Sequence, residues 1–381
     1  MKLTYLNANK KNFINKLEII LNRRRDHDPK KYLLVKKIIK DIKKNKDKAL
    51  IKYEKKFSNI NNIKNKNIKF SKFEIENVIK KLDKSIKKSI DLAFLRIYKF
   101  HKKQKFNSYS LTDNYNNTLK YTSSPIERVG VYVPGGTASY PSSVLMNCIP
   151  AMIAGVKNIY MTTPTINKQY NAAVLYAAKK CKVKEIYKVG GAQAIAALAY
   201  GTNIVKKVNK IVGPGNTFVA TAKKEVFGDV GIDMIAGPSE VTVVADKYSN
   251  PEWVAADLIA QAEHDNFAQS ILISSNEKII SQVNFFIKQQ LKNLPKKKIA
   301  EKSLKNFGLA IYVKNKKKLI ETINLIAPEH LEILIKKPNE IIKKITNAGS
   351  IFIGDYSPEA MGDYIAGTNH VLPTSGAAKF S

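Results

Sequence analysis

Three short stretches of this chain bring histidine and carboxylate together: Gln261-Ala262-Glu263-His264-Asp265, Ala327-Pro328-Glu329-His330-Leu331-Glu332, and Gly362-Asp363-Tyr364 followed by His370. The chain has five histidines, and three of them fall in or just after these stretches. Imidazole and carboxylate at close spacing suit two kinds of chemistry, ligation of a divalent metal and proton transfer at a reacting atom. A soluble protein has little structural need for the pattern.

Asn250-Pro251 reads as a helix start, with Asn as N-cap and Pro at the first helical position, so a helix should run from Pro251 to about His264. Gln261 and His264 then share a face, with Asp257 a turn earlier. Such a pair can offer two ligands to one ion; the spacing alone fits a plain helix end, His264 beside the C-terminal dipole, at least as well. Pro328 suits a helix first turn, which would set Glu329 and His330 at the positive end of a helix, a field that lowers a nearby histidine pKa. Neighbouring helical side chains diverge by about 100°, so one of the two can activate water while the other handles a substrate proton. Capping by Glu329 beside a surface histidine fits the same spacing. Ser357-Pro358-Glu359 opens a further helix or turn. Asp363 after it is either a hard ligand for a divalent metal or another carboxylate at a helix N-terminus, and His370 is a candidate substrate contact.

Glycine divides the scaffold that must hold these residues. None occurs before Gly130, so all 18 lie from there to the end. The glycine-free part reads as helices over Lys31–Tyr53 and Glu74–Lys102, with apolar residues at three- and four-residue spacing. From Glu127 strands and helices alternate. Arg128–Val133 ends in Pro134-Gly135-Gly136, Lys184–Val189 ends in Gly190-Gly191, and Lys210–Val212 ends in Gly213-Pro214-Gly215-Asn216, each with a helix after it. Repeated strand, glycine turn and helix imply parallel sheets whose ligands sit at the carboxyl ends of strands. A second α/β passage starts at Val241 and includes strands at Ser270–Ser274, Leu309–Val313 and Ser350–Ile353. The expected fold is α/β: two Rossmann-like parallel-sheet domains, one inserted in the other, with a helical N-terminal segment. The expected bounds are 1–28 for a helical arm, 29–131 plus 241–381 for a discontinuous domain carrying metal and catalytic residues, and 132–240 for an inserted cofactor-binding domain.

Composition excludes several classes. No apolar run is long enough to span a bilayer, and the first residues do not read as a secretory signal. Cys148 and Cys181 build no disulfide framework, which points to a reducing cytoplasm. Cys148 lies in the apolar stretch Val144–Ile149 and reads as core rather than as an aldehyde-oxidising nucleophile. A net charge of +34 invites a nucleic-acid reading, but no recognition motif accompanies it and lysine outweighs arginine. Lysines scattered among Asn and Ile read as solvated surface. The glycine turns match neither the dinucleotide fingerprint nor the P-loop.

The segments Arg128 to Gly136, Val189 to Ile195, Gly213 to Asn216, Ala236-Gly237-Pro238-Ser239-Glu240, Gln261 to Asp265, Ala327 to Glu332, and Gly349 through Phe380 together resemble the histidinol dehydrogenase family, in the family's order. The resemblance implies oxidation of L-histidinol through the aldehyde to L-histidine with two NAD+ and a bound Zn2+. It implies Gln261, His264 and Asp363 as zinc ligands that also meet the substrate, with His330 as base for the alcohol and Glu329 activating water. Ser239, His330 and His370 would touch histidinol, and Tyr132, Gln193 and Asn216 would line the NAD+ site. A homodimer is implied, in which a C-terminal tail adds a histidine ligand and a glutamate across the interface. The sequence stops at Lys379-Phe380-Ser381, inside the motif leading into that tail. Two further readings stay open: a zinc- and NAD-dependent dehydrogenase of another small alcohol, and a catalytically impaired remnant.

Overall fold

The computed structural model describes residues 2–24, 29–58, 67–135, 140–165, 170–235 and 237–380. Gly136 and Ala236, each part of an expected motif, lie outside the described residues. Along the chain the strands are β1 (Thr4–Asn7), β2 (Tyr109–Thr112), β3 (Thr118–Tyr121), β4 (Arg128–Tyr132), β5 (Asn158–Thr162), β6 (Glu185–Tyr187), β7 (Lys210–Val212), β8 (Gly231–Ile232), β9 (Glu240–Ala245), β10 (Gln269–Ser274), β11 (Leu309–Tyr312), β12 (His330–Leu334) and β13 (Ser350–Ile353). The chain forms two compact units, one of Met1–His27, Ala236–Gly362 and Leu372–Ser381, the other of Asp28–Ile235 and Asp363–Val371.

The first unit holds a six-stranded sheet ordered β1-β11-β10-β9-β12-β13, and every pair in it is parallel. A parallel sheet needs cover on both faces, which is why β9 (EVTVVA) and β10 (QSILIS) are buried at every position. Val241 and Val243 pack with Val254 and Leu258 of the helix Pro251–Ala262 and with Val283 of the helix Glu277–Gln290. The alternate residues Val244, Ile271 and Ile273 pack with Phe13 and Leu17 of the helix Phe13–Asn22 and Ile323 of the helix Lys316–Ile326.

The second unit holds a five-stranded parallel sheet ordered β6-β5-β4-β7-β8. Strand order reverses between β4 and β7, the switch point at which doubly wound sheets open a crevice beyond their carboxyl ends. One core joins Val35, Ile38 and Ile42 to the alanine-rich helix Gly191–Tyr200, whose small side chains admit a close neighbour. The other joins Ile90 and Ile97 to Val144, Leu145 and Cys148. Cys148 is therefore core, as its apolar context implied. Strands β2 and β3 form a separate antiparallel ribbon, exposed at every position.

The α/β class holds, but three local expectations change. The expected helical arm 1–28 holds the helix Phe13–Asn22 but also a strand, because Thr4–Asn7 pairs along β11 as an edge strand. The helices between 29 and 131 pack on the second unit instead of joining 241–381, since their apolar stripes close its core. Glu74–Lys102 is two helices, Lys72–Lys80 and Lys84–His101, because Asp83 accepts from the Ser85 N–H and starts the second.

Candidate active site

Glu329 and His330 do not open a helix. Ala327 takes the left-handed conformation (φ 51°, ψ 63°) that closes the helix Lys316–Ile326, and the chain enters β12 at His330. Leu331 and Ile333 alternate with Glu332 in the period of a strand, and β12 pairs with β9 on one side and β13 on the other. The positive helix end expected around this pair is absent. What stands near in sequence is a helix carboxyl end, whose field favours cations.

The first unit's candidate residues thus gather at the amino ends of β9 and β12, the opposite edge from the one expected for an α/β sheet. The Glu240 backbone N–H donates to Glu329 Oε2 at 2.9 Å, and the Glu240 carbonyl lies 3.1 Å from His330 Nδ1. A carbonyl only accepts, so Nδ1 carries the proton and Nε2 of the neutral ring is the basic nitrogen. Nε2 is 3.7 Å from Glu359 Oε1, and Nδ1 is 3.7 Å from Glu329 Oε2. Glu329 is buried, and burial, then the charge of Glu240, pushes its carboxyl well above the usual range; the Glu240 N–H and Arg24 oppose that push. A carboxylate held this way is a base in waiting, deprotonated only as pH rises or as a neighbouring charge changes.

Asn250 caps the helix Pro251–Ala262 by accepting from the Glu252 N–H, and Pro251 opens it, as the sequence implied. Gln261 is buried in its last turn and its Oε1 has no hydrogen-bond donor within reach, while His264 follows on an exposed turn. Asp257, one turn before Gln261, faces Glu332 of β12: burial raises both carboxyls, and the hydrogen bond between them raises Glu332 further while lowering Asp257. Glu332 is pushed up to about 9, by burial first and then by Asp257, and its Oε1 accepts from the Glu359 N–H at 2.6 Å. Residues two apart on a strand share a face, so the Asp257–Gln261 side of the helix lies over the face of β12 that bears His330 and Glu332. Glu332 and its pairing with Asp257 escaped the sequence reading; the Leu331/Ile333 alternation was the available signal that β12 is a strand with Glu332 beside His330.

Ser239 lies half-buried just before β9. Asp363 ends the short 3-10 turn Glu359–Asp363 and belongs, with His370, to the second unit. Among the described residues no three His, Cys, Asp or Glu side chains gather as a metal site. The expected ligand set holds only two residues of those types, His264 and Asp363, with Gln261 as the third.

In the second unit, Tyr132 ends β4 and Asn216 follows β7, the two strands at the switch point, while Gln193 lies in the first turn of the helix Gly191–Tyr200 after β6. The Gly191 N–H donates to the Tyr132 hydroxyl at 3.1 Å, and burial pushes that phenol up to about 12, so it stays a neutral donor. Gln193 donates through Nε2 to the buried Glu54 at 3.1 Å, and Gly190 also hydrogen-bonds that carboxylate. Asn216 caps the helix Thr217–Val226 by accepting from Phe218 and Val219, which leaves its side-chain NH2 for a ligand. Gly213 needs glycine: its φ is +113°, and a Cβ there would collide with the Tyr132 carbonyl oxygen. Tyr132 and Gln193 are brought to one turn, and Asn216 to the next.

The sequence model of the family described as histidinol dehydrogenase matches residues 21–381. The curated histidinol dehydrogenase of Pelagibacter ubique is 56% identical over 377 residues, covering 99% of this chain and 87% of that protein. That of Hydrogenovibrio crunogenus is 44% identical, covering 100% of this chain and 88% of that protein. The crystal structure of histidinol dehydrogenase from Elizabethkingia anophelis superposes with a TM-score of 0.93 at 40% identity, covering 99% of this chain and 86% of that one.

Proposed function

The chain belongs to the histidinol dehydrogenase family, NAD-dependent oxidoreductases of histidine biosynthesis, and on that premise we propose how its own residues carry the reaction. L-Histidinol is oxidised to the aldehyde and then to L-histidine. The observation that supports the roles is the Glu240 backbone holding Glu329 and His330 by opposite polarities. His330 Nε2 takes the hydroxyl proton as the carbinol C–H leaves as hydride. Glu329, once deprotonated, takes a proton from the water that adds to the aldehyde, and the hydrated carbon gives up the second hydride. The sum consumes one water and two NAD+, yielding one carboxylate, two NADH and three protons. NAD+ supplies the hydride-accepting ring. Tyr132, Gln193 and Asn216 orient it at the β4/β7 switch point, and Ser239 and His370 position histidinol.

Gln261, His264 and Asp363 would hold Zn2+. The buried, undonated Oε1 of Gln261 suits a cation, as does the carboxyl end of its helix. Zinc there would orient the substrate and polarise its polar groups. We further read the enzyme as a cytoplasmic homodimer with no nucleic-acid or membrane partner; among the described residues no helix is long and apolar enough to cross a membrane. Identity spread over nearly the whole chain disfavours both a different alcohol substrate and an inactive remnant. The test is NADH release from L-histidinol with and without a chelator. Two NADH per histidinol, lost on chelation and restored by Zn2+, is the expected result; turnover indifferent to chelation would sink the zinc assignment.

A further inference from the structure

Arg24 stands two residues past the helix Phe13–Asn22, far in sequence from every residue so far given a role, yet its side chain is nearly inaccessible. A guanidinium has five N–H donors and no acceptor. Here each donor direction meets an oxygen: Nε donates to Phe267 O at 3.0 Å, Nη1 to Glu240 Oε2 at 2.8 Å and Gln269 Oε1 at 2.9 Å, and Nη2 to Pro238 O and to Ser239 O at 3.2 Å. Two of those carbonyls belong to the turn that delivers Ser239 and Glu240, and Phe267 and Gln269 lead into β10. Glu240, the one charged partner, is itself 2% exposed, and its second carboxylate oxygen accepts from the Ser375 N–H.

We propose that Arg24 is a positioning residue of the active site: its guanidinium fixes the Pro238-Ser239-Glu240 turn so that the Glu240 peptide can hold Glu329 and His330. The inference rests on the roles proposed above for those two residues. Glu240 reaches the pair through both main-chain groups, so a turn that shifts or rotates misaligns the carboxylate and the imidazole together. Lysine keeps the charge but has no planar fork and cannot reach carbonyls and carboxyls on both sides. Arg24 acts electrostatically as well. The groups that bear on Glu329 are Glu240 and Glu359, which favour its protonated form, Arg24, which opposes them, and the His330 ring at 3.7 Å.

The test uses the zinc-loaded full chain with Arg24→Lys, Glu240→Gln and Glu329→Gln, following kcat, KM and the acid limb of kcat/KM. Arg24→Lys should lower kcat by about tenfold or more, as small misplacements of catalytic groups do, while the acid limb stays where it was because the charge is kept. Glu240→Gln keeps an acceptor for Arg24 but removes the negative charge beside Glu329, so the acid limb should move to lower pH. A merely structural ion pair predicts lost folded protein in both variants with unchanged kcat and limb in what remains. That result overturns the proposal, and so does an unmoved limb in Glu240→Gln if Arg24→Lys does not fold. Glu329→Gln separates the two levels: full turnover in that variant refutes Glu329 as base, whatever Arg24 does.

Discussion

Replacing Glu332 by Gln should make the metal-free protein more stable at alkaline pH and leave it nearly unchanged in acid. Glu332 is fully buried, its carboxyl faces Asp257, and its pKa is raised from 4.5 to about 9. A raised carboxyl pKa means the folded protein holds a proton that the unfolded chain releases above about pH 4.5. Stability from this group is therefore complete below the unfolded pKa and declines as pH climbs, until the folded pKa is passed near 9. The slope is about 1.4 kcal/mol per pH unit for one proton, so the loss between pH 5 and pH 8 is on the order of 3–4 kcal/mol. Glutamine carries no such proton, can still accept from the Glu359 N–H and can donate to Asp257. Urea unfolding in the presence of a chelator at pH 5, 6, 7 and 8 reads the effect as a growing gap in midpoint between the two proteins. Parallel curves across that range would refute the shared-proton account of Asp257 and Glu332.

Four further outcomes follow from the site. Glu329→Gln should slow the aldehyde step by about 10²–10⁴-fold, the usual worth of a general base, so a single-turnover mixture releases one NADH per histidinol promptly instead of two. Because burial and Glu240 hold the Glu329 carboxyl high, wild-type kcat/KM should climb toward alkaline pH, and this acid limb should vanish in the variant. Gln261→Leu should weaken Zn2+ binding, read by equilibrium dialysis, while the circular dichroism of the metal-free protein stays unchanged; undiminished zinc affinity would remove Gln261 from the ligand set. Tyr132→Phe strips the acceptor from the Gly191 N–H, costing about 1–3 kcal/mol of stability and raising KM for NAD+ more than KM for histidinol; equal effects on both would argue against Tyr132 as a cofactor contact.

The parts of this fold that sequence exposes are those with local chemical causes. Asn250-Pro251 is legible because a cap and a first-turn proline need only each other. The glycine turns after β4 and β7 are legible because glycine marks backbone that other residues resist, as the +113° of Gly213 does. Long-range causes are silent. Proline at 328 points equally to a helix start and to the exit from one, and only pairing with β9 and β13 decides for a strand. Arg24 sits in a run of three arginines with nothing in the local sequence to say that it, and not the exposed Arg23, turns inward to Glu240. Thr4–Asn7 has no visible partner until residue 309 is placed beside it. The carboxyl pair Asp257–Glu332 is hidden for the same reason, since opposed acids are unfavourable locally and arise only when a helix is laid on a sheet.

That last edge of the sheet has a consequence for how the chain is made. Thr4–Asn7 leaves the ribosome well before Leu309–Tyr312, with which it pairs, and Arg24 meets its partners only once residues 238–269 exist. At about 5–20 residues per second, roughly 15–60 s separate the two halves of that strand pair. During the wait the segment Asp28–Ile235, with its own sheet and both of its cores, is synthesised almost entire and can fold on the nascent chain, lacking only Asp363–Val371. Thr4–Asn7 is thus made long before its partner strand, and the buried arginine locks its turn only after the Asp28–Ile235 segment has been made.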